Sequence, residues 1–202
     1  MDPTFLREIS LLVRTPKKGI DEIFWFGTLE KGIKAGLAGW CATHIIGFAL
    51  GIVLLPLAMT FGGFLFGFIP AVYGIFSILR EILGLGIYWF VGSFILWKLL
   101  SVLLEREFDF KQVLMGTAYV EGYTGALGLA LILVSIICIY ITPFLMILLV
   151  PLALAYVGAV IYVAVMLLSR IMNVEPLTVG AVYVVLYIIN LLYNWIMRIL
   201  FA

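Results

Sequence analysis

Apolar residues arrive in short, spaced sets up to residue 34 and in long unbroken blocks after it. In "FLREISLLV", Phe5, Ile9, Leu12 and Val13 recur at helical spacing, with Arg7, Glu8 and Ser10 at the other positions, which predicts a short amphipathic helix. "RTPKKGIDEIFWFG" predicts a second, with Thr15 as N-cap, Pro16 at the first helical position, and Ile20, Ile23 and Phe24 as the apolar face. Amphipathic helices with lysines on the polar face lie in the membrane plane, and Trp25 and Phe26 suit the headgroup boundary. A spanning helix needs ~20 apolar residues. The stretches that qualify are 35–55, 57–79, 82–104, 113–137, 144–168 and 177–197. The predicted fold is all-α: a polytopic transmembrane helical bundle over 35–202, one domain, preceded by an amphipathic interfacial segment over 1–34.

The stretches need not all cross. Arg7, Arg14, Lys17, Lys18, Lys31 and Lys34 precede the first span and place the N-terminus in the cytoplasm. If 57–79 stays on one side, Lys98 lies near the inner surface and Arg106, Lys111 and Arg170 fall inside, at the cost of Arg80 and Arg198 outside. If it crosses, Arg106, Lys111 and Arg170 fall outside. Five crossings therefore fit the positive-inside rule better than the alternative, six. The stretch also carries "FGGFLFGFIP" directly after Pro56, which reads as a re-entrant or broken segment packed against the others. Asp109 and Gln112 form a capping-box arrangement before the next span, Pro176 suits a first turn, and Pro151 should kink the 144–168 helix.

Composition strengthens the membrane reading. The 202 residues are 65% hydrophobic and 11% charged, with mean hydropathy +1.26, against ~45–50% and ~25% in soluble domains. No soluble fold hides that much apolar surface. A net charge of +1 names no nucleic-acid partner. Cys41 and Cys138 stand far apart with no His/Cys cluster, so neither a metal site nor a cofactor is expected. No cleavable signal peptide is evident, which leaves targeting to the first membrane helix in the cytoplasmic membrane. Asp2, Asp21 and Asp109 all fall at the surface, and neither a Ser–His couple nor a P-loop is evident, so the expected role is not enzymatic.

The candidate chemistry is polar residues inside apolar helices. Thr117, Glu121, Thr124 and Gly128 fall at i, i+4, i+7 and i+11, and Tyr183, Tyr187, Asn190 and Asn194 repeat those intervals on the last helix. Each set occupies one helical face. Glu121 lies roughly 15 Å into its helix, where a charge costs at least ~2.5 kcal/mol. It can be protonated and hydrogen-bonded, paired with Lys98 or His44, or titrated during transport. A structural cluster tying Glu121 to Tyr187, Asn190 or Asn194 is the favoured expectation. Lys98 can equally reach the interface alone. Small pairs, Gly32/Gly36, Gly47/Gly51, Gly63/Gly67 and Thr124/Gly128, predict close helix packing, as does the Ala155, Gly158, Ala159 and Tyr162 face.

Three stretches carry a resemblance. "LLVRTPKKGIDEIF", "EREFDFKQVLMGTAYVEGYTGAL" with its Gly-Tyr pair, and "MNVEPLTVGAVYVVLYI" resemble, in order, the amphipathic opening, the polar loop leading into a helix, and the final-span link of the Yip-type membrane proteins, the Ypt/Rab-interacting protein domain. The family often has a proline shortly after the Gly-Tyr pair, where Gly125 and Ala126 follow here. The resemblance implies a cytoplasmic N-terminus and five membrane helices. Eukaryotic members are associated with small GTPases and vesicle traffic. Without a long cytosolic extension this chain looks prokaryotic, and Rab binding is not carried over. The expected function is a membrane scaffold or interaction partner for membrane proteins or lipids, through self-association or another membrane protein. Arg14, Pro16, Lys17, Lys18, Trp25, Phe110 and Lys111 form its contact face. The alternative is a small transporter or channel using Glu121, Lys98 and His44.

Overall fold

A computed structural model describes residues 5–62, 86–87, 89–141 and 148–186, with side chains over 5–46, 86–87, 89–135 and 148–186. Among the described residues there are seven helices and no strand: α1 Phe5–Arg14, α2 Pro16–Phe26, α3 Leu29–Gly62, α4 Trp89–Leu103, α5 Phe110–Ile141, α6 Leu149–Met172 and α7 Pro176–Leu186. Phe110–Ser135 and Leu149–Met172 are long and apolar enough to cross a membrane.

The chain's local signals explain several boundaries. Asp109 Oδ1 accepts the Lys111 backbone N–H at 2.9 Å, so Asp109 caps α5 as its spacing predicted. Pro16 opens α2, but the Thr15 hydroxyl does not cap it. It donates back to the Leu11 carbonyl at 3.4 Å and so belongs to the end of α1. Pro176 opens α7, where its missing N–H costs nothing. Pro151 was expected to kink the 144–168 helix; it falls in the first turn of α6 as described, and residues 144–147 of that stretch lie outside the described residues. Asn173 ends that helix in the left-handed conformation, φ 52°. α3 is longer than its predicted span and runs past Pro56 without a break to Gly62. Most of the 57–79 stretch, with Gly63 and Gly67, lies outside the described residues.

The central contact joins α3 to α5. Gly32 faces Met115, Ala118 and Tyr119; Gly36 faces Ala118; Gly39 faces Gly122; and Gly128 faces Thr43. Residue numbers rise together on both helices, so α3 and α5 run parallel. The backbones touch: a Cβ on Gly125 would lie 2.4 Å from the carbonyl carbon of Gly39, and one on Gly122 would lie 2.8 Å from that of Ala35. Small residues permit this approach, which supplies dispersion contact where lipid removes the hydrophobic drive between helices. α4 runs back against α5, with Trp89 and Ser93 beside Thr117 and Trp97 beside Phe108. α6 is antiparallel to α5, with Leu168 against Gly116 and Tyr156 near Gly128. Among the described residues, the Ala155, Gly158, Ala159 and Tyr162 face of α6 stays largely open, and none of them lies within 4 Å of a Cβ built on Gly158.

α1 and α2 cover one end of the bundle. Leu12, Ile20 and Ile23 are buried and join Val113, Tyr119, Leu167 and Leu168 in one core. Each such aliphatic side chain withdrawn from water contributes about 1.5–3 kcal/mol. Part of each apolar face is thus buried against the bundle, while Val13, Phe24, Trp25 and Phe26 remain exposed.

Gly125→Ala should lower stability by about 1–3 kcal/mol, because the methyl meets backbone that cannot rotate away. Gly158→Ala, with open space around it, should leave the thermal midpoint unchanged or raised. Thermal unfolding of the two detergent-solubilised variants makes the comparison.

Candidate functional site

Two buried polar centres flank the α3–α5 seam. The first starts from Glu8, which sequence reasoning placed off the apolar face of α1. Its side chain is 0% exposed. The Tyr119 hydroxyl of α5 donates to Glu8 Oε2, and Lys31 Nζ of α3 stands 3.5 Å from Oε1. Lys31 also donates to the Phe26 carbonyl at 3.0 Å, which fastens the last turn of α2. One cation and one phenol therefore hold both N-terminal helices to the bundle. Spacing carried the signal: Glu8 is three residues after Phe5 and four before Leu12, inside the buried stripe.

Burial pushes the Glu8 carboxyl above its ordinary value of 4.5, against the lowering pull of Tyr119 and Lys31; the negative charge of Glu22 adds to the rise. Glu22 itself pairs with Arg7 at 3.3 Å, and Arg170 of α6 lies 3.8 Å from Asp21 and over the Phe24 ring at 5.0 Å. These exposed pairs are worth little singly, but they bind α2 to both α1 and α6. The expected contact residues Arg14, Lys17, Lys18, Trp25 and Lys111 are exposed, Trp25 by 70%, and Pro16 is half-buried. Phe110 lies in an aromatic cluster with Phe90, Phe94 and Trp97.

The second centre is Glu121, eleven residues beyond the start of α5. It lines a cavity of about 150 Å³ with Ile33, Gly36, Leu37 and Trp40 of α3, Gly86 and Trp89 on the α4 side, and Ala118. Lys98 and His44, the two alternative partners, are not among its described lining residues. Lys98 is exposed at the far end of α4, 5.7 Å from the Trp97 ring, and forms no ion pair with Glu121. The antiparallel run of α4 explains this, since Trp89 and not Lys98 comes level with Thr117. His44 Nδ1 lies 3.0 Å from the Trp40 carbonyl and 3.3 Å from the Thr43 hydroxyl, and its ring stacks on Trp40 at 4.6 Å.

Thr117 turns toward α4. It receives the Trp89 Nε1–H at 3.0 Å, lies 2.7 Å from the Ser93 hydroxyl, and donates to the Leu114 carbonyl at 3.1 Å. Thr124 donates to the Val120 carbonyl at 2.8 Å. The predicted stripe on α5 therefore serves α4 at one level and its own backbone at another. Tyr156 and Tyr183 lie within reach of the Glu121 charge, but neither hydroxyl bonds to it. Tyr187, Asn190 and Asn194 lie outside the described residues. Sequence reasoning missed Lys31, Trp40 and Trp89 as site residues. Trp40 was visible in part, four residues after Gly36 and so on the same face.

Glu8→Ala should cost about 1–3 kcal/mol, the penalty for leaving Tyr119 and Lys31 without their acceptor. Glu8→Gln keeps an acceptor and should cost less. Because the folded state holds the Glu8 proton more tightly than the unfolded chain, Glu8 makes stability fall as pH rises from 4.5 through the raised folded value. The wild type should gain stability relative to Glu8→Gln as pH falls through that window, in paired thermal melts.

No family model, no curated protein and no solved structure matches the chain.

Proposed function

We propose that this chain is a multi-pass protein of the cytoplasmic membrane, prokaryotic and Yip-type in resemblance, that works without catalysis as a scaffold or contact partner for other membrane proteins or lipids. The observation that carries this reading is the fixed seating of α1 and α2. Glu8, Lys31, Tyr119 and Arg170 bind them to the bundle, and Arg14, Lys17, Lys18 and Trp25 are left pointing away from it. A basic and aromatic surface held by buried contacts is already ordered before it meets a partner, so binding costs less conformational entropy.

Five crossings with a cytoplasmic N-terminus belong to the same proposal. Their support is the parallel run of α3 and α5. With α4 as the single return, 35–55, 82–104 and 113–137 become successive crossings. A crossing at 57–79 would set α5 antiparallel to α3. Against the transport alternative stands the separation of Lys98 from Glu121, which removes one of its three proposed groups.

The test is gentle crosslinking in the native membrane, followed by identification of what copurifies. Combining Lys17→Glu, Lys18→Glu and Trp25→Ala should reduce recovery of a stoichiometric partner or specific lipid at least fivefold. Stability should stay within about 0.5 kcal/mol, since these side chains are exposed. Undiminished recovery in the variant, or a wild-type protein recovered with neither partner nor specific lipid, would refute the contact-face reading.

A further inference from the structure

The charges on the N-terminal helices do not cancel once their partners are counted. Each carboxylate between residues 5 and 34 has a cation: Glu8 has Lys31, Asp21 has Arg170, Glu22 has Arg7 and Glu30 has Lys34. Arg14, Lys17 and Lys18 are left over. They lie together at the turn from α1 into α2, all three are exposed, and none has an ion pair or side-chain hydrogen bond among the described residues.

The other end of α2 carries Phe24, Trp25 and Phe26, which are 37%, 70% and 53% exposed. Consecutive helical residues point about 100° apart, so the three rings spread round much of the helix. A protein groove reads a helix through one stripe at i, i+3, i+4 and i+7 and could not take all three. The headgroup boundary of a bilayer is a medium rather than a groove, and aromatic rings collect there. Lys17 and Trp25 are eight residues apart and share a stripe of about 12 Å, on the side of α2 away from the buried Ile20 and Ile23. The carboxylate on that stripe, Asp21, is the one that faces Arg170. α3 begins at Leu29, so the rings are held at the foot of the first apolar stretch.

We propose that this face docks on anionic phospholipid and gathers it from the cytoplasmic leaflet, with Arg14, Lys17 and Lys18 against lipid phosphates and Phe24, Trp25 and Phe26 in the headgroup boundary. The inference rests on the contact-face reading and names its partner. Basic residues beside a spanning helix are attracted to an anionic leaflet. A nucleic acid or an acidic protein would satisfy the cations and leave the three rings in water. In the five-crossing order the other links at this end, 105–109 and 173–175, are described, and they leave the face exposed.

The test uses the whole protein in phosphatidylcholine vesicles, with a donor dye on Ser10→Cys in a background lacking Cys41 and Cys138. Ser10 is exposed and lies one turn before Arg14 on the same side of the chain's first helix. Trace acyl-labelled phosphatidylglycerol or acyl-labelled phosphatidylcholine serves as acceptor. Energy transfer should report phosphatidylglycerol at least threefold enriched over phosphatidylcholine at about 0.1 M salt. The enrichment should vanish at about 1 M, where the screening length falls from about 10 Å to about 3 Å. Lys17→Glu with Lys18→Glu should abolish it, and Lys17→Arg with Lys18→Arg should retain it. A polarity-sensitive dye on Trp25→Cys should emit as from the headgroup boundary. Equal transfer to the two lipids by the labelled parent protein, enrichment that salt leaves intact, or emission from residue 25 as in water would overturn the proposal whether or not the charge variants fold. The contact-face reading survives such a result if the charge-reversed protein still loses a protein partner in native membranes, and it fails separately if nothing is lost there.

Discussion

The close approach of two backbones at Gly39 and Gly125 governs what surrounds it. Helices that meet at glycine lie close enough for main-chain atoms to touch, and a single methyl on either side would force them apart. In lipid such packing is the main attraction available between apolar helices. The contact also fixes register. Once Gly39 faces Gly122 and Gly125, Gly36 must face Ala118, and the Cβ of Glu121 comes close to it. Lys31 and Tyr119 are brought to the same end of the seam, where both reach Glu8.

Two consequences of that register have different chemistry. At the end of the seam, charge is satisfied. Glu8 is buried, but Lys31 and Tyr119 meet it, and the result is two amphipathic helices fixed to a bundle rather than floating beside it. Two residues beyond Tyr119 on α5, Glu121 lines a cavity with indoles and aliphatic carbon. The first centre explains how an exposed basic surface can be rigid.

The sequence exposed the helices and the small-residue seam more readily than the polar partners. Long apolar blocks and the pairing of Gly32 with Gly36 are local patterns, and both correspond to observed features. Asp109 as a cap and Pro16 as a first helical residue are local too. The errors were of another kind. Thr15 had two helix ends to serve and took the nearer carbonyl. Lys98 had two readings, a partner for Glu121 or a lone cation reaching the interface, and the antiparallel run of α4 sets Trp89, not Lys98, level with Thr117. Glu8 was misread because a carboxylate in an apolar stripe looks like a break in the pattern, when it is part of the buried face. Which residue meets which across helices depends on direction and register, and a periodic pattern in one helix holds neither.

Direction is therefore the quantity to measure, since the crossing order, the Glu8 clasp and the Glu121 cavity all require α3 and α5 to be parallel. A Cβ on Gly36 would stand 3.6 Å from the Cβ of Glu121, within the range of about 3.5–4.5 Å for a disulfide. In a background lacking Cys41 and Cys138, Gly36→Cys with Glu121→Cys should crosslink rapidly in native membranes, and Gly36→Cys with Gly128→Cys should not. Crosslinking of the second pair in preference to the first would mean an antiparallel or shifted seam and would contradict the account.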